Sequence, residues 1–462
     1  MNINDNFEFL NVGLPEDILR RKTWGDFEGA VRLIDKRLAG EIPDALRACL
    51  ICEREMILRL EKDYPFSEAD ALAKIRAAIP DFSKDEFHAM VDDNKIDWIY
   101  VHGEPHYFLR FYQTLIKTDA DFAARAGVVN RGRVDGEDAG NTRESLLDRA
   151  ARLMRENGKL SNRIRIRASV RIKDEAFEKG KRVRVHIPIP AKCIQQSEIE
   201  LVGYYGKPAY IAPEDAPQRT IYWEEVLEEN HEFWVEYSYL HTAPYVDPMK
   251  IVPDAEQPTF FTQEENPHIV FTPYIKELVK SLTKGVTNPV EKARIFYDFV
   301  TLNVKYSFMR EYFGLENIAE NCARNIKGDC GVQALLFITL CRCAGIPARW
   351  QSGLFVTPDD TGCHDWARFY VAPYGWLYCD ASFGGSAWRA GSRERWNFYF
   401  GNLEPFRMVA NRDLQQDFDP PKKFLRADPY DSQLGEVEYE DEGLTLHDFT
   451  TQLTVLSCEV VD

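Results

Sequence analysis

The stretch that most limits how this 462-residue chain can fold is Val332-Gln333-Ala334-Leu335-Leu336-Phe337-Ile338-Thr339-Leu340. A helix that is apolar on every side has to be enclosed by other elements, so this run predicts a helix at the centre of a domain. Asp329 just upstream reads as its N-cap and Gly345 as its stop. Cys330 therefore falls in the first turn, where the positive end of the helix dipole favours thiolate over thiol. Two β-like segments follow, Trp366-Ala367-Arg368-Phe369-Tyr370-Val371 and Trp376-Leu377-Tyr378-Cys379-Asp380. Pairing them as a hairpin around Pro373-Tyr374-Gly375 brings His364 and Asp380 together. A thiol, an imidazole and a carboxylate in that order are the parts of nucleophilic catalysis, with Cys330 attacking, His364 moving the proton and Asp380 orienting the ring.

At these residues the chain resembles the transglutaminase-like superfamily of cysteine enzymes. The matching text is Gly328-Asp329-Cys330 with its helix, Leu340-Cys341-Arg342-Cys343-Ala344-Gly345-Ile346-Pro347-Ala348-Arg349, Gly353, His364-Asp365-Trp366 and Gly375-Trp376 through Asp380. The resemblance spans about residues 270–400. It implies a papain-like α/β core in which Cys330 attacks an amide carbonyl, and a thioester that water or an amine resolves. It also implies an aromatic oxyanion donor upstream of the cysteine, for which Tyr306 is the candidate. Trp366 is expected to wall the cleft or pack the hairpin. One departure is Arg368, which stands where many members carry an acidic residue. The expected activity is peptidase or amidase chemistry on a peptide or protein substrate. The alternatives are a protein-glutamine transamidase and a catalytically idle scaffold on the same fold.

The remaining sequence narrows the function classes. With 57 basic against 74 acidic residues the net charge is −17, which argues against nucleic acid as a partner. No run is long enough for a membrane span. The opening Met1-Asn2-Ile3-Asn4-Asp5-Asn6-Phe7-Glu8 lacks the basic and apolar regions of a secretory leader, so a cytoplasmic chain is expected. Ten cysteines then read as thiols. The sole C-x-x-C pair, Cys49/Cys52, lies in an apolar stretch and reads as core. Neither a metal nor a cofactor is expected.

The fold class is α+β and multidomain. Residues 1–126 read as a helical domain with a small hairpin, and 127–160 as a linker followed by a helix starting at Asn141 and ending at Asn157-Gly158. Residues 161–248 switch to period two, predicting an antiparallel, sandwich-like β domain. Its outward row Arg163, Arg165, Arg167 and Arg171 is expected to pair with acids such as Glu232 and Glu236. Residues 265–400 form the catalytic region. Residues 401–462 read as a C-terminal extension whose acidic run, Glu436, Glu438, Glu440, Asp441 and Glu442, is expected to be solvated.

Overall fold

Asp329 does cap the central helix: its carboxylate accepts the Val332 N–H at 3.3 Å, and the helix runs Cys330–Cys343. Residues 331–342 are all buried, and Leu335, Leu336, Phe337, Ile338 and Leu340 are sealed from water. Each such side chain is worth about 1.5–3 kcal/mol relative to exposure. The chain is described by a computed structural model covering residues 3–128 and 144–461.

Around this helix the strands Ala348–Val356, Thr361–Val371, Gly375–Cys379, Phe400–Gly401 and Arg407–Asn411 form one antiparallel sheet. The central histidine strand, Thr361–Val371, pairs on one side so that Gly353 faces His364 and on the other so that Cys379 faces Ala367. Gly353 has to be glycine because a Cβ there would collide with the Met408 carbonyl of the neighbouring strand. The helices Pro273–Leu282 and Pro289–Asn303 pack against the central helix; Thr272 and Asn288 cap them, each with proline in the first turn.

Two four-stranded antiparallel sheets share a second core that includes Ile166, Val170, Val185, Trp223 and Val235. The alternation from Arg163 onward is the strand Lys159–Ile172, and its arginines pair as the alternation predicts: Arg165 with Glu236, Arg167 with Glu232 at 3.0 Å and Arg163 with Glu198. The end of the chain does not stay apart as an extension. Glu436–Tyr439 adds a strand to one sheet and Phe449–Val461 adds a strand to the other, beside residues 161–172. The acidic run is accordingly not solvated throughout. Glu436 is buried between Lys422, at 2.8 Å, and Arg426, at 3.1 Å, and Glu438 is buried beside Arg184. Pairing with cations brought from other segments overrides the polarity of the run.

The N-terminal part is helical and holds two smaller cores, with the hairpin Trp98–Val101 and Glu104–Tyr107 between its helices. Cys49 and Cys52 are buried thiols. Most of the expected linker, and Asn141 with it, lies outside the described residues. The following helix is Leu146–Asn157, with Ser145 as the cap observed and Gly158 as the left-handed stop. No helix among the described residues is long and apolar enough to cross a membrane.

Candidate active site

The short parallel pairing of Lys305–Tyr306 with Lys327–Gly328 sets Tyr306 beside Gly328, two residues before Cys330. The hairpin closes as its turn residues imply, and His364 Nε2 lies 2.7 Å from Asp380 Oδ2. Both are buried. Asp380 Oδ1 accepts the Phe383 N–H at 2.9 Å, capping the next helix, while Oδ2 also pairs with Arg407 at 2.9 Å. Arg407 in turn pairs with Glu404 at 2.7 Å. The imidazole lies on the Phe383 ring, centroids 4.3 Å apart. Its orientation is therefore fixed by a carboxylate on one side and an aromatic face on the other.

Cys330 does not hydrogen-bond this imidazole. Its Sγ–H donates to Asp365 Oδ2 at 3.2 Å. Neighbouring residues on a strand project to opposite faces, so His364 turns toward Asp380 while Asp365 turns toward the helix start. Tyr312 completes this second cluster. Its hydroxyl donates to Asp329 Oδ1, accepts the Gly331 N–H at 3.0 Å and lies 3.5 Å from Asp365 Oδ2. Gly331 leaves room for it, since a Cβ there would strike the Tyr312 hydroxyl and the Asp365 carboxylate.

Electrostatics divides the two clusters. Burial pushes the Cys330 thiol well above its ordinary value, and Asp365 and Asp329 push it further. The thiolate expected from the helix dipole is thus opposed in this arrangement, because two carboxylates and desolvation outweigh one helix terminus. Burial raises Asp365 to about 7, with the Asp329 charge adding to it. Asp329 is raised by burial to about 6, against the Tyr312 hydrogen bond. Burial lowers His364 below its ordinary value despite the pull of Asp380. Burial raises Asp380, but His364 and Arg407 together hold it below the ordinary carboxylate value.

Segments from both ends of the chain pack around this region. Gln433 Nε2 donates to Asp365 Oδ1 at 2.6 Å, and Asp431 bonds Ser352. Arg59 holds the Arg426 and Ala427 carbonyls at 3.0 and 2.9 Å. From the other side, Lys117 lies 3.9 Å over the Tyr306 ring and Arg110 lies 3.5 Å over Phe308. Burial pushes the Tyr306 hydroxyl well above its ordinary value, and Cys330, Asp329 and Asp365 add to it. Trp366 does not wall a cleft. It is fully buried, with Nε1 donating to Gln351 at 2.8 Å, because its strand position points into the core. Trp376 packs the hairpin against Tyr370, centroids 5.5 Å apart.

Among the described residues, Asp63, Glu311 and His447 bring three possible metal-ligand atoms within 4.8 Å of one another. Arg59 pairs with Glu311 at 3.1 Å, so the trio reads as a salt-bridged joint between segments. Asp365, Tyr312, Gln433 and Arg407 were not singled out from the sequence. Asp365 stands in the sequence only within the His364-Asp365-Trp366 match, without a role assigned to it.

Residues 276–381 match the transglutaminase-like superfamily. Similar solved structures include a candidate cysteine protease from Cytophaga hutchinsonii, at 15% identity and TM-score 0.42, covering 66% of this chain and 91% of that one. Another is the periplasmic domain of TgpA from Pseudomonas aeruginosa, at 13% identity and TM-score 0.29, covering 53% of this chain and 94% of that one. A candidate protease from Parabacteroides distasonis is similar at 16% identity and TM-score 0.21, over 46% of this chain and 42% of that one. No curated protein sequence matches. The matched segment is the one that holds Cys330, His364 and Asp380.

Proposed function

We propose that the protein is a cysteine-dependent acyl-transfer enzyme that opens an amide or isopeptide bond of a peptide or protein. The supporting observation is the buried His364–Asp380 pair at 2.7 Å, one residue along the strand from the carboxylate that holds the Cys330 thiol. The Nδ1 atom of His364 makes no hydrogen bond to the described residues, which leaves it free to accept the Cys330 proton once the thiol turns from Asp365. The thiolate adds to the carbonyl, the backbone N–H of Cys330 and the Tyr306 hydroxyl stabilise the oxyanion, and the imidazolium protonates the leaving amine. Asp380 keeps the ring in one tautomer without taking the proton. Water, deprotonated by His364, then releases the acid from the thioester. Hydrolysis is favoured over transamidation because water needs no binding site of its own, whereas an amine acceptor does.

The idle-scaffold reading has its own support in the Cys330–Asp365 hydrogen bond and the raised thiol. A mixed peptide and isopeptide library, read by mass spectrometry between about pH 5 and 9, separates the two. Cleavage or deamidation lost in both Cys330→Ser and His364→Ala supports the enzyme. Product formed equally by Cys330→Ser, or no product from the wild type, refutes it. Added methylamine appearing in the product would redirect the reading to transamidation.

A further inference from the structure

Arg368 is the departure from the family text that the proposed chemistry leaves unexplained. It sits on the histidine strand directly opposite Arg349 on one neighbour and Tyr378 on the other. Side chains so placed share a face and lie within about 5 Å at their Cβ atoms, and like charges placed this way repel. Arg349 is satisfied, because Asp413 takes its guanidinium in a two-pronged grip that includes an Nε contact of 2.8 Å. Arg368 has no such partner. It is only 6% exposed, its Nε is sealed from water without a hydrogen bond, and it forms no ion pair with the described residues. Its guanidinium lies 5.2 Å over the Trp376 ring.

The ionisable groups facing Arg368 are Tyr378, Arg349, Cys193 and Asp413. Asp413 is the carboxylate among these groups, and it is already committed to Arg349. A buried cation without a counter-charge is among the most costly things a fold can retain. The surroundings suit a ligand better than a structural role. Arg349 lies 4.2 Å over Phe261 and Phe261 meets Trp376, both rings being partly exposed. The cation is thus recessed behind a half-exposed aromatic rim.

We infer that Arg368, with Arg349 behind the Trp376–Phe261 rim, forms an anion pocket that takes a carboxylate or phosphate group. A planar guanidinium presents paired donors that match such an oxyanion. Arg368 lies four residues along the strand from His364, about 13 Å at the usual rise, so the pocket is separate from the thiol. The inference stands whether or not Cys330 is catalytic.

Isothermal titration of the full-length protein at constant ionic strength tests it, with acetate and inorganic phosphate as probes. An N-acetyl dipeptide as free acid and as amide distinguishes a free anion from a peptide end. Saturable binding of at least one anion is expected, weakened about tenfold or more in Arg368→Gln and less in Arg368→Lys, which keeps the charge but not the fork. Binding of the dipeptide acid above acetate, lost on amidation, assigns the pocket to a peptide carboxylate. No saturable binding by the wild type, or equal binding by Arg368→Gln, overturns the inference. Folding supplies a second readout. In anion-poor buffer Arg368→Met should melt at or above the wild-type temperature, because it removes an uncompensated buried charge. A clear drop would show that the charge already has a partner, and would equally overturn the inference.

Discussion

Replacing Asp365 by Asn removes the carboxyl in direct contact with the Cys330 thiol while keeping an acceptor for its S–H. At the observed 3.2 Å, a unit charge acting through an effective dielectric of about 20 disfavours the thiolate by about 5 kcal/mol. That is almost four pKa units. The full effect is reached only where Asp365 is ionised, and burial holds its carboxyl at about 7. The variant should therefore match the wild type at pH 5–6 and pull ahead above pH 7. Iodoacetamide labelling with the modified cysteine mapped by mass spectrometry measures this directly. Labelling of Cys330 in Asp365→Asn should be about tenfold or more faster at pH 8, with the ratio close to one at pH 5.5. Equal or slower labelling across the whole range would refute the claim that Asp365 keeps the thiol protonated.

Other expectations follow from the same geometry. Because Asp365 and Asp329 are raised to about 7 and about 6, the folded state retains protons that the unfolded chain releases from about pH 4 upward. Their contribution to stability should thus fall as pH rises through 4–7 and then level off, and urea titrations at pH 5 and 8 should show a smaller difference in Asp365→Asn. Lys422→Met leaves Glu436 with one cation fewer in a buried site and should cost about 3–5 kcal/mol, measured by denaturant midpoint. Leu336→Ala opens a cavity in a helix enclosed on all sides and should cost about 2–5 kcal/mol with labelling of Cys330 otherwise normal. Gly331→Ala should displace Tyr312 and Asp365 from the helix start and change the pH profile of Cys330 labelling.

The central helix and the hairpin were legible because their signals are local. A capping Asp329, an unbroken apolar run and a Pro-Tyr-Gly turn suffice to place Cys330 in a first turn and His364 beside Asp380. The arginine row was legible for the same reason, since alternation shows which side faces water. What was hidden depends on partners far away in the chain. Tyr312 and Tyr306 precede the cysteine by similar intervals, and only the strand pairing at Gly328 decides which of them lies where. Trp366 reads as a residue that walls the cleft or packs the hairpin, and the sheet turns it inward. Glu436 and Glu438 belong to an acidic run, but Lys422, Arg426 and Arg184 draw them into the interior. Cutting the chain after about residue 433 therefore removes a strand from each sheet of the β domain.

That same pairing says something about the order in which the molecule can be assembled. Arg171 and Thr450 bond across 279 positions, with the whole Cys330–His364 region lying between them. A chain emerging from the ribosome must hold the strand Lys159–Ile172 with one edge open while everything in between is synthesised. Exposed strand edges invite pairing with other chains, and contacts this remote in sequence form slowly. The β domain then behaves as a clasp that shuts late around an inserted core, so the interval most dangerous for aggregation precedes the arrival of the thirteen-residue strand Phe449–Val461.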